Sequence, residues 1–171
     1  VAGGRDMSKI LIIGAGPGLA YTVAGRFGRE GWRVVLASRD EARLKDEVKS
    51  LQAGGADAGY HRCDVTDFEA LDRLVRAESD DGGIDLLNYN AAVIRPNAPL
   101  LDTSIDDIRS DLLIDIGGAL IAARAAIPAM KARGGGTIIF SGGGLSENPW
   151  HTMLTPGVGK AGQQERKDAP A

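Results

Sequence analysis

Short apolar runs alternate with longer amphipathic segments along most of the chain, from about residue 9 to residue 140. The short runs are rich in aliphatic residues and end at glycine or polar residues, which is typical of strands buried on both faces. The pattern predicts five strands, over residues 10–13, 33–37, 58–63, 84–88 and 137–140. It predicts helices between them: one ending near residue 30, one capped by Asp40, one starting near Asp67, and a pair over 104–120 and 121–132, or a single helix bent at Gly117 and Gly118.

This alternation of strands and helices is typical of an α/β fold in which a parallel sheet carries helices on both faces. By analogy with dinucleotide-binding folds, the expected architecture is a Rossmann-like, doubly wound parallel sheet with the strand order 3-2-1-4-5. After Ser141 the pattern stops, so we expect a truncated or irregular C-terminal part and a fifth strand left at the sheet edge. We expect a single domain over residues 7–162, with residues 1–6 as a cloning remnant and residues 163–171 as a polar tail.

Composition excludes several classes of protein. The 171 residues include 25% charged and 43% apolar residues, which is the balance of a soluble globular chain. The net charge of -3 gives no basic footprint for nucleic acid, and the longest apolar runs fall short of the roughly 20 residues that span a bilayer. The single cysteine, Cys63, cannot form a disulfide within the chain. We therefore expect a cytoplasmic protein that binds neither nucleic acid nor membrane.

A strand that leads into Gly14, Gly16 and Gly18 and then into a helix indicates a dinucleotide-binding turn. Glycines allow a tight turn and the close approach of a pyrophosphate, while the helix N-terminus offers unpaired N–H groups and a positive dipole end. Pro17 and Leu19 complete the predicted contact. The alternative is a tight strand-to-helix turn that binds no ligand.

The end of the second strand distinguishes between two nicotinamide cofactors. An acidic residue there holds the ribose 2′-hydroxyl of NAD, whereas an arginine accommodates the 2′-phosphate of NADP. The chain has Ser38 and Arg39 at this point, and Asp40 stands where a helix cap is expected. The sequence therefore favours NADP over NAD; the alternative is that Arg39 is an ordinary surface arginine.

The motif Gly14-x3-Gly18-x-Ala20 resembles the glycine pattern of the short-chain dehydrogenase/reductase family, with alanine for the third glycine. The resemblance covers about residues 9–162. Asp64 and Val65 are similar to the family's Asp-Val pair after the third strand. The resemblance implies that Asp64 contacts the adenine and that Val65 packs beside it.

Two further motifs stand in register with the same family. Asn90 and Ala91 match the family's Asn-Asn-Ala-Gly motif after the fourth strand, which implies that they line the cofactor site. The stretch from Asp115 to Gly118 resembles the start of the family's central helix. Several motifs in the right order are far more specific than any one of them.

The family, as the resemblance implies, transfers a hydride between nicotinamide and a carbonyl or alcohol carbon. It uses a tyrosine as general acid or base, a lysine four residues later, a serine and a helix asparagine. Lys160 matches the lysine, but Pro156 stands at the tyrosine position. A glycine, residue 142 or 143, stands at the serine position with Ser141 beside it, and Asp115 replaces the asparagine.

The missing tyrosine lowers the expected rate, because an alkoxide left unprotonated in the transition state costs about 10²- to 10⁴-fold. The candidate catalytic residues are Lys160, Ser141 and Asp115, and Lys160 is also expected to hold the nicotinamide ribose. Other residues that could supply the proton are Tyr89, Thr155 and His151. Two histidines and one cysteine without ligand spacing predict no metal site.

Two hypotheses of function follow. The first is an NADP(H)-dependent oxidoreductase of the short-chain dehydrogenase/reductase type, acting on a small carbonyl or alcohol substrate. The second is a catalytically silent NADP(H)-binding protein, a sensor or interaction module on the same fold. A methyltransferase with a similar glycine turn is disfavoured, because it would require an acid where Ser38 and Arg39 stand.

The resemblance also implies a homo-oligomer, because the family commonly pairs through the two helices after the fourth strand. In this chain those helices carry Ile121 and two pairs of small residues that would allow close packing, Ala122-Ala123 and Ala125-Ala126. The alternative is that these residues face the sheet.

Overall fold

The computed structural model describes residues 7–94, 99–144, 147 and 154–163. Its elements are β1 (Lys9–Ile13), α1 (Leu19–Arg29), β2 (Arg33–Ser38), α2 (Glu41–Ala53), β3 (Ala58–Arg62), α3 (Phe68–Asp80), β4 (Leu86–Tyr89), α4 (Ile105–Leu112), α5 (Gly118–Ala132), β5 (Thr137–Phe140) and α6 (Leu154–Gly162). A short 3-10 helix, Leu100–Asp102, precedes α4, and a π-helical turn, Leu113–Gly117, joins α4 to α5. Each predicted strand is present, with its ends within two residues of the prediction.

The sheet has the predicted order, β3-β2-β1-β4-β5, and every neighbouring pair is parallel. β1 lies at its centre, where Ile12 is paired with Leu36 of β2 and with Asn88 of β4. β5 forms one edge, as expected. The fold is therefore a Rossmann-like doubly wound sheet, in which the carboxyl ends of the central strands meet at one edge of the sheet.

The alternation of side chains along β1 explains why helices cover both faces. Ile10 and Ile12 pack in the core with residues of α1 and α2, whereas Leu11 and Ile13 pack on the opposite face with residues of α3 and α5. All four side chains are fully buried. Each contributes roughly 1.5–3 kcal/mol through removal from water, so β1 anchors both cores.

Two aspartates cap the helices that follow β2 and β3, at the edge of the sheet where the carboxyl ends of the strands lie. Asp40 accepts a hydrogen bond from the backbone N–H of Arg43 at 3.1 Å, and Asp67 accepts one from Ala70 at 2.9 Å. Each cap is worth about 1 kcal/mol. The prediction that Asp40 serves as a helix cap is confirmed.

The predicted bend at Gly117 and Gly118 is the π-helical turn, so α4 and α5 form one continuous helix, Ile105–Ala132. By length and hydropathy alone this helix could cross a membrane, a property that it shares with core helices of α/β proteins. It packs against α3 and β4. A Cβ atom on Gly118 would lie 2.2 Å from Tyr89 Oη, so the missing side chain permits this close packing.

Three of the four alanines proposed for subunit pairing are buried, and Ala123 is half-buried. Ala122, Ala125 and Ala126 are buried in the core on the sheet side of α5, so the alternative interpretation is correct for these three. The periodicity could not decide this, because alanine is compatible with either face. The exposed large apolar side chains of α4, the π turn and α5 are Ile105, Leu112, Leu113, Leu120 and Ile127.

The expectation of an irregular C-terminal part needs a correction, because α6 forms there. Pro156 lies in its first turn, where the missing N–H costs no intrahelical hydrogen bond. Pro156, Gly157 and Gly159 are buried, and α6 packs against α4 and the π turn. The glycines and the proline concealed the helix in the sequence, since both residue types weaken a helical pattern.

A buried ion pair connects β1 to α3. Lys9 Nζ donates to Glu78 Oε2 at 2.9 Å and to the backbone oxygen of Glu78 at 3.0 Å. The other carboxylate oxygen of Glu78 lies 2.7 Å from His61 Nε2. Both charged side chains of the pair are less than one-tenth exposed, so each depends on the other for its stabilisation.

Candidate functional site

A cleft of about 720 Å³ lies at the carboxyl ends of the strands. Predicted site residues that line it are Gly14, Leu19, Ser38, Arg39, Val65, Asn90, Ala91, Ser141 and Lys160. They lie in the β1–α1 turn and at the start of α1, at or shortly after the carboxyl ends of β2, β3, β4 and β5, and in α6. The other predicted site residues, Gly16, Pro17, Gly18, Asp64 and Asp115, are not part of its lining. The fold thus brings most of the predicted set into one cavity.

Gly14 joins the β1–α1 turn to the ends of two neighbouring strands. Its N–H donates to the carbonyl oxygen of Ala37 at 2.8 Å, and its φ of 86° lies in the left-handed region. A Cβ atom at this position would lie 2.2 Å from the backbone nitrogen of Ala91. Gly14 is therefore required by the fold itself, whether or not a ligand binds.

Gly16 and Gly18 have a different environment. A Cβ atom built on either residue would meet no atom within 4 Å, and Pro17 and Leu19 beside them are exposed. No side chain caps the N-terminus of α1. Open space in front of a helix N-terminus that no described side chain caps is an arrangement that admits a phosphate, so these two glycines fit the predicted role.

The end of β2 presents a hydroxyl and two guanidinium groups to the cleft, from Ser38, Arg39 and Arg43. Ser38 is buried and its Oγ has no hydrogen-bond partner among the described residues. Arg43 Nε lies 3.9 Å from Glu47 Oε1, beyond hydrogen-bond distance. Arg43 lies in the first turn of α2 and was not among the predicted site residues; its place just after the cap Asp40, close in sequence to Arg39, could have indicated it.

Asp64 lies just after β3, between the cleft residues Cys63 and Val65. Its Oδ1 accepts hydrogen bonds from the backbone N–H and the hydroxyl of Thr66, at 3.0 and 2.8 Å. Burial disfavours its charge, but these hydrogen bonds and the positive charges of Arg39 and Arg62 prevail and lower its pKa. Asp64 is therefore an ionised acceptor at the rim of the cleft.

Asn90 fixes the end of β4 to the glycine turn. Its backbone N–H donates to the carbonyl oxygen of Ile13 at 2.7 Å, and its Nδ2 donates to the carbonyl oxygen of Gly14 at 3.1 Å. Asn90 and the adjacent Ala91 line the cleft. Asn90 thus holds the turn and one wall of the cleft in a fixed relation.

Of the residues considered as proton donors, only Ser141 is a hydroxyl on the cleft wall. Its Oγ accepts a hydrogen bond from Asn88 Nδ2 at 3.2 Å, which leaves its own hydrogen available to another acceptor. Tyr89 is fully buried, donates to the carbonyl oxygen of Ile114 and has a pKa raised by burial, so it does not face the cleft. Thr155 lies in the first turn of α6, and His151 lies outside the described residues.

Asp115 lies in the π turn and is fully buried. Its Oδ1 accepts a hydrogen bond from the backbone N–H of Val93 at 3.3 Å, and its Oδ2 has no partner among the described atoms. Burial raises the pKa of Asp115 to about 6, against the opposing influence of the positive charge of Lys160. Because its carboxyl lies outside the cleft lining, Asp115 influences the cleft through its neighbours.

Lys160 is the cationic group at the α6 side of the cleft. It is half-buried, and burial lowers its pKa although the charge of Asp115 opposes this shift. It also lines an adjoining cavity of about 340 Å³, with Phe140, Glu147 and the glycines at 142–144. No group of three or more metal-ligating side chains occurs among the residues that the structure describes.

Comparison with known proteins identifies the family. Residues 8–165 match the family model described as short chain dehydrogenase. Rabbit (Oryctolagus cuniculus) dehydrogenase/reductase SDR family member 4 is 30% identical over 155 residues, which is 90% of this chain and 60% of that protein.

Two solved structures share the fold at similar identity. A metagenomic short-chain oxidoreductase in complex with NADP is 26% identical, with a TM-score of 0.86 over 91% of this chain and 71% of the other. An NADH-dependent reductase complexed with NAD is 25% identical, with a TM-score of 0.81 over 92% and 68% of the two chains.

The chain spans about half to three-fifths of the length of the curated relatives it matches. The match to the family model nevertheless includes the glycine turn, all five strands and α6. The chain belongs to the short chain dehydrogenase family.

Proposed function

We propose that this domain binds NADP(H) and serves an oxidoreductase that transfers a hydride between nicotinamide and a carbonyl or alcohol carbon of a small molecule. The observation that carries the proposal is the pair of arginines, Arg39 and Arg43, on the wall of the same cleft as Gly14. A ribose 2′-phosphate offers the charge and the oxygen atoms that two guanidinium groups bind well. Similar proteins of known structure carry NADP in one case and NAD in another, so the preference for NADP rests on these arginines.

The adenosine half of the cleft fits such a ligand in its other features. Ser38 Oγ is buried and has no hydrogen-bond partner among the residues that the structure describes, and a buried hydroxyl of this kind is stabilised when a ligand supplies one. Val65 offers an apolar surface for the adenine ring, and the ionised carboxylate of Asp64 accepts a hydrogen bond from the amino group of the adenine. Gly16 and Gly18 leave room for the pyrophosphate.

At the other end of the cleft, the proposed chemistry uses Lys160 and Ser141. Bound nicotinamide supplies or accepts the hydride. Ser141 donates a hydrogen bond to the substrate oxygen, because Asn88 already donates to the serine Oγ. The ammonium of Lys160 holds the ribose and stabilises negative charge on that oxygen. Pro156 contributes no proton, so turnover is expected to be slower than with a tyrosine there.

A fluorescence titration of the protein with NADPH and NADH, followed by a panel of carbonyl substrates, tests this proposal. We expect NADPH to bind with a Kd of about 10 μM or tighter, near -7 kcal/mol. Binding of neither nucleotide would overturn the proposal. Binding of NADPH without turnover of any carbonyl would favour the silent binding protein instead.

We also propose self-association and a cytoplasmic location. Leu112, Leu113, Leu120 and Ile127 are exposed apolar side chains on the continuous helix, and a second copy of the chain would cover them. Light scattering of wild type and Leu120→Arg tests this, and a monomeric wild type would contradict it. The proposed location is supported by the single cysteine of the chain, Cys63, which is a free thiol and fits a reducing compartment.

A further inference from the structure

One side chain that the proposed chemistry leaves unused connects Lys160 to the π turn. Lys160 Nζ donates to Gln163 Oε1 at 3.4 Å, and Gln163 Nε2 donates to the backbone oxygen of Asp115. Gln163 is half-buried. The amide of Gln163 therefore links the cation on the cleft wall to the backbone of the central helix.

The π turn explains why a carbonyl oxygen is available there. In such a turn the N–H groups meet carbonyls five residues back, and Gly118 accordingly donates to Leu113. This displacement lets side chains reach the next carbonyls: Tyr89 Oη donates to that of Ile114, and Gln163 donates to that of Asp115. Both contacts fix the turn from outside the helix.

A primary amide suits this link because it carries an acceptor and two donors at the end of one side chain. A carboxylate could accept from Lys160 but could not donate to the carbonyl of Asp115, and an ammonium could donate but could not accept. Leucine has a similar size and makes neither contact. The residue type at position 163 is therefore matched to both of its partners.

The position of Lys160 also depends on the buried carboxyl of Asp115. Asp115 Oδ2 has no hydrogen-bond partner in the described part of the chain, and it would lie 2.5 Å from a Cβ atom on Gly159, the residue before Lys160. The negative charge of Asp115 attracts the ammonium of Lys160 and opposes the lowering of its pKa by burial. Gln163 Oε1 offers Lys160 an acceptor that is separate from this carboxylate.

We propose that Gln163 is a positioning residue, whose amide holds the ammonium of Lys160 at the cleft wall and away from the buried carboxylate of Asp115. The expected effect of Gln163 on NADP(H) binding rests on the proposed function. Its effect on the position of the ammonium is independent of that function. The ionisable groups around the pair are Asp111 and Tyr89 near Asp115, and Glu147 in the cavity that Lys160 lines.

The test uses Gln163→Leu, with Gln52→Leu as a matched control. Gln52 Nε2 donates to the carbonyl oxygen of Ala58 at 2.8 Å, so its replacement also removes an amide-to-carbonyl hydrogen bond, but outside the cleft. Carbon-13 NMR of the ligand-free protein follows Lys160 Cε and Asp115 Cγ against pH. Signals are assigned by their loss in Lys160→Arg and Asp115→Asn.

In Gln163→Leu the ammonium is expected to pair with Asp115. The pH midpoint of the Lys160 titration therefore rises, and the pH midpoint of the Asp115 titration falls. The Kd for NADPH is expected to rise about tenfold, the value of one charged hydrogen bond. In the Asp115→Asn background the same replacement is expected to change the Kd less than about threefold, because the competing carboxylate is gone. Gln52→Leu is expected to leave both midpoints and the Kd unchanged.

Unchanged midpoints in Gln163→Leu, or a lower midpoint for Lys160, would overturn the inference. Equal effects of Gln163→Leu on the Kd in the two backgrounds would also overturn it. If the midpoints move as expected while the wild type binds no NADPH, the positioning role stands and the proposed function fails.

Discussion

Replacing Asp115 by asparagine should stabilise the protein increasingly as the pH rises. The carboxyl of Asp115 is fully buried, and its pKa is about 6 in the folded chain against 3.8 for an ordinary aspartate. Between these values the folded state holds a proton that the unfolded state has released. Stability therefore falls as the pH increases through this range, because the folded chain must then accept a buried negative charge.

The magnitude follows from the two pKa values. A difference from 3.8 to about 6 corresponds to roughly 3 kcal/mol of lost stability once both states are ionised. About 2 kcal/mol of this loss develops between pH 4.5 and pH 8. The amide of asparagine keeps the acceptor for the N–H of Val93 and does not ionise, so the variant lacks this pH dependence.

Urea unfolding of wild type and Asp115→Asn at pH 4.5 and pH 8 measures the effect. The difference in unfolding free energy between the two proteins should move by about 2 kcal/mol in favour of the variant as the pH rises. Any fixed cost of burying the amide cancels in this comparison. Asp46→Asn, at an exposed position of α2, is the control and should show no such change. A constant difference at the two pH values would refute the reasoning.

Three other predictions concern the cofactor cleft and the core. Arg39→Asp should weaken NADPH binding about 100-fold and leave NADH within about threefold, measured by fluorescence titration, whereas Arg73→Asp on α3 should change neither. Gly18→Asp should abolish binding of both nucleotides while the Tm stays within about 2 °C, because open space surrounds this glycine; retained binding would remove it from the site. Lys9→Met should cost about 3 kcal/mol in urea unfolding, because the buried carboxylate of Glu78 loses its lysine partner and keeps His61, and recovery in a double variant with Glu78→Gln is the check.

The sequence predicts the sheet well because backbone geometry dictates its residue types. β1 must be apolar on both faces, and its turn must contain glycine where Gly14 meets Ala91. The alternation of strands and helices predicts parallel pairing, since parallel strands need crossover connections, and the strand order follows from the analogy with dinucleotide-binding folds. These features involve residues near in sequence or constraints that any member of the fold shares.

The sequence fails where structure depends on contacts between distant segments. The burial of Ala122 and its neighbours depends on which face of α5 meets the sheet, and alanine carries no preference that shows it. Helix α6 is stabilised by packing against α4, which its glycines and Pro156 conceal. The link from Lys160 through Gln163 joins α6 to the π turn 48 residues away, so no local pattern indicates it.

The two ends of the cleft respond differently to substitution, because the fold depends on the site residues at the adenosine end and does not depend on a tyrosine at the other end. At the adenosine end, Gly14 and Asn90 hold the walls through backbone contacts, so replacing either one damages the fold as well as the site. At the other end, Pro156 fits the first turn of α6 and the absence of a Cβ at Gly159 leaves room for Asp115, so α6 brings Lys160 to the cleft without a tyrosine. A tyrosine there is not required for folding, so its absence leaves the cleft and its cation in place. The catalytic side chains can therefore change in this fold while the cofactor cleft persists.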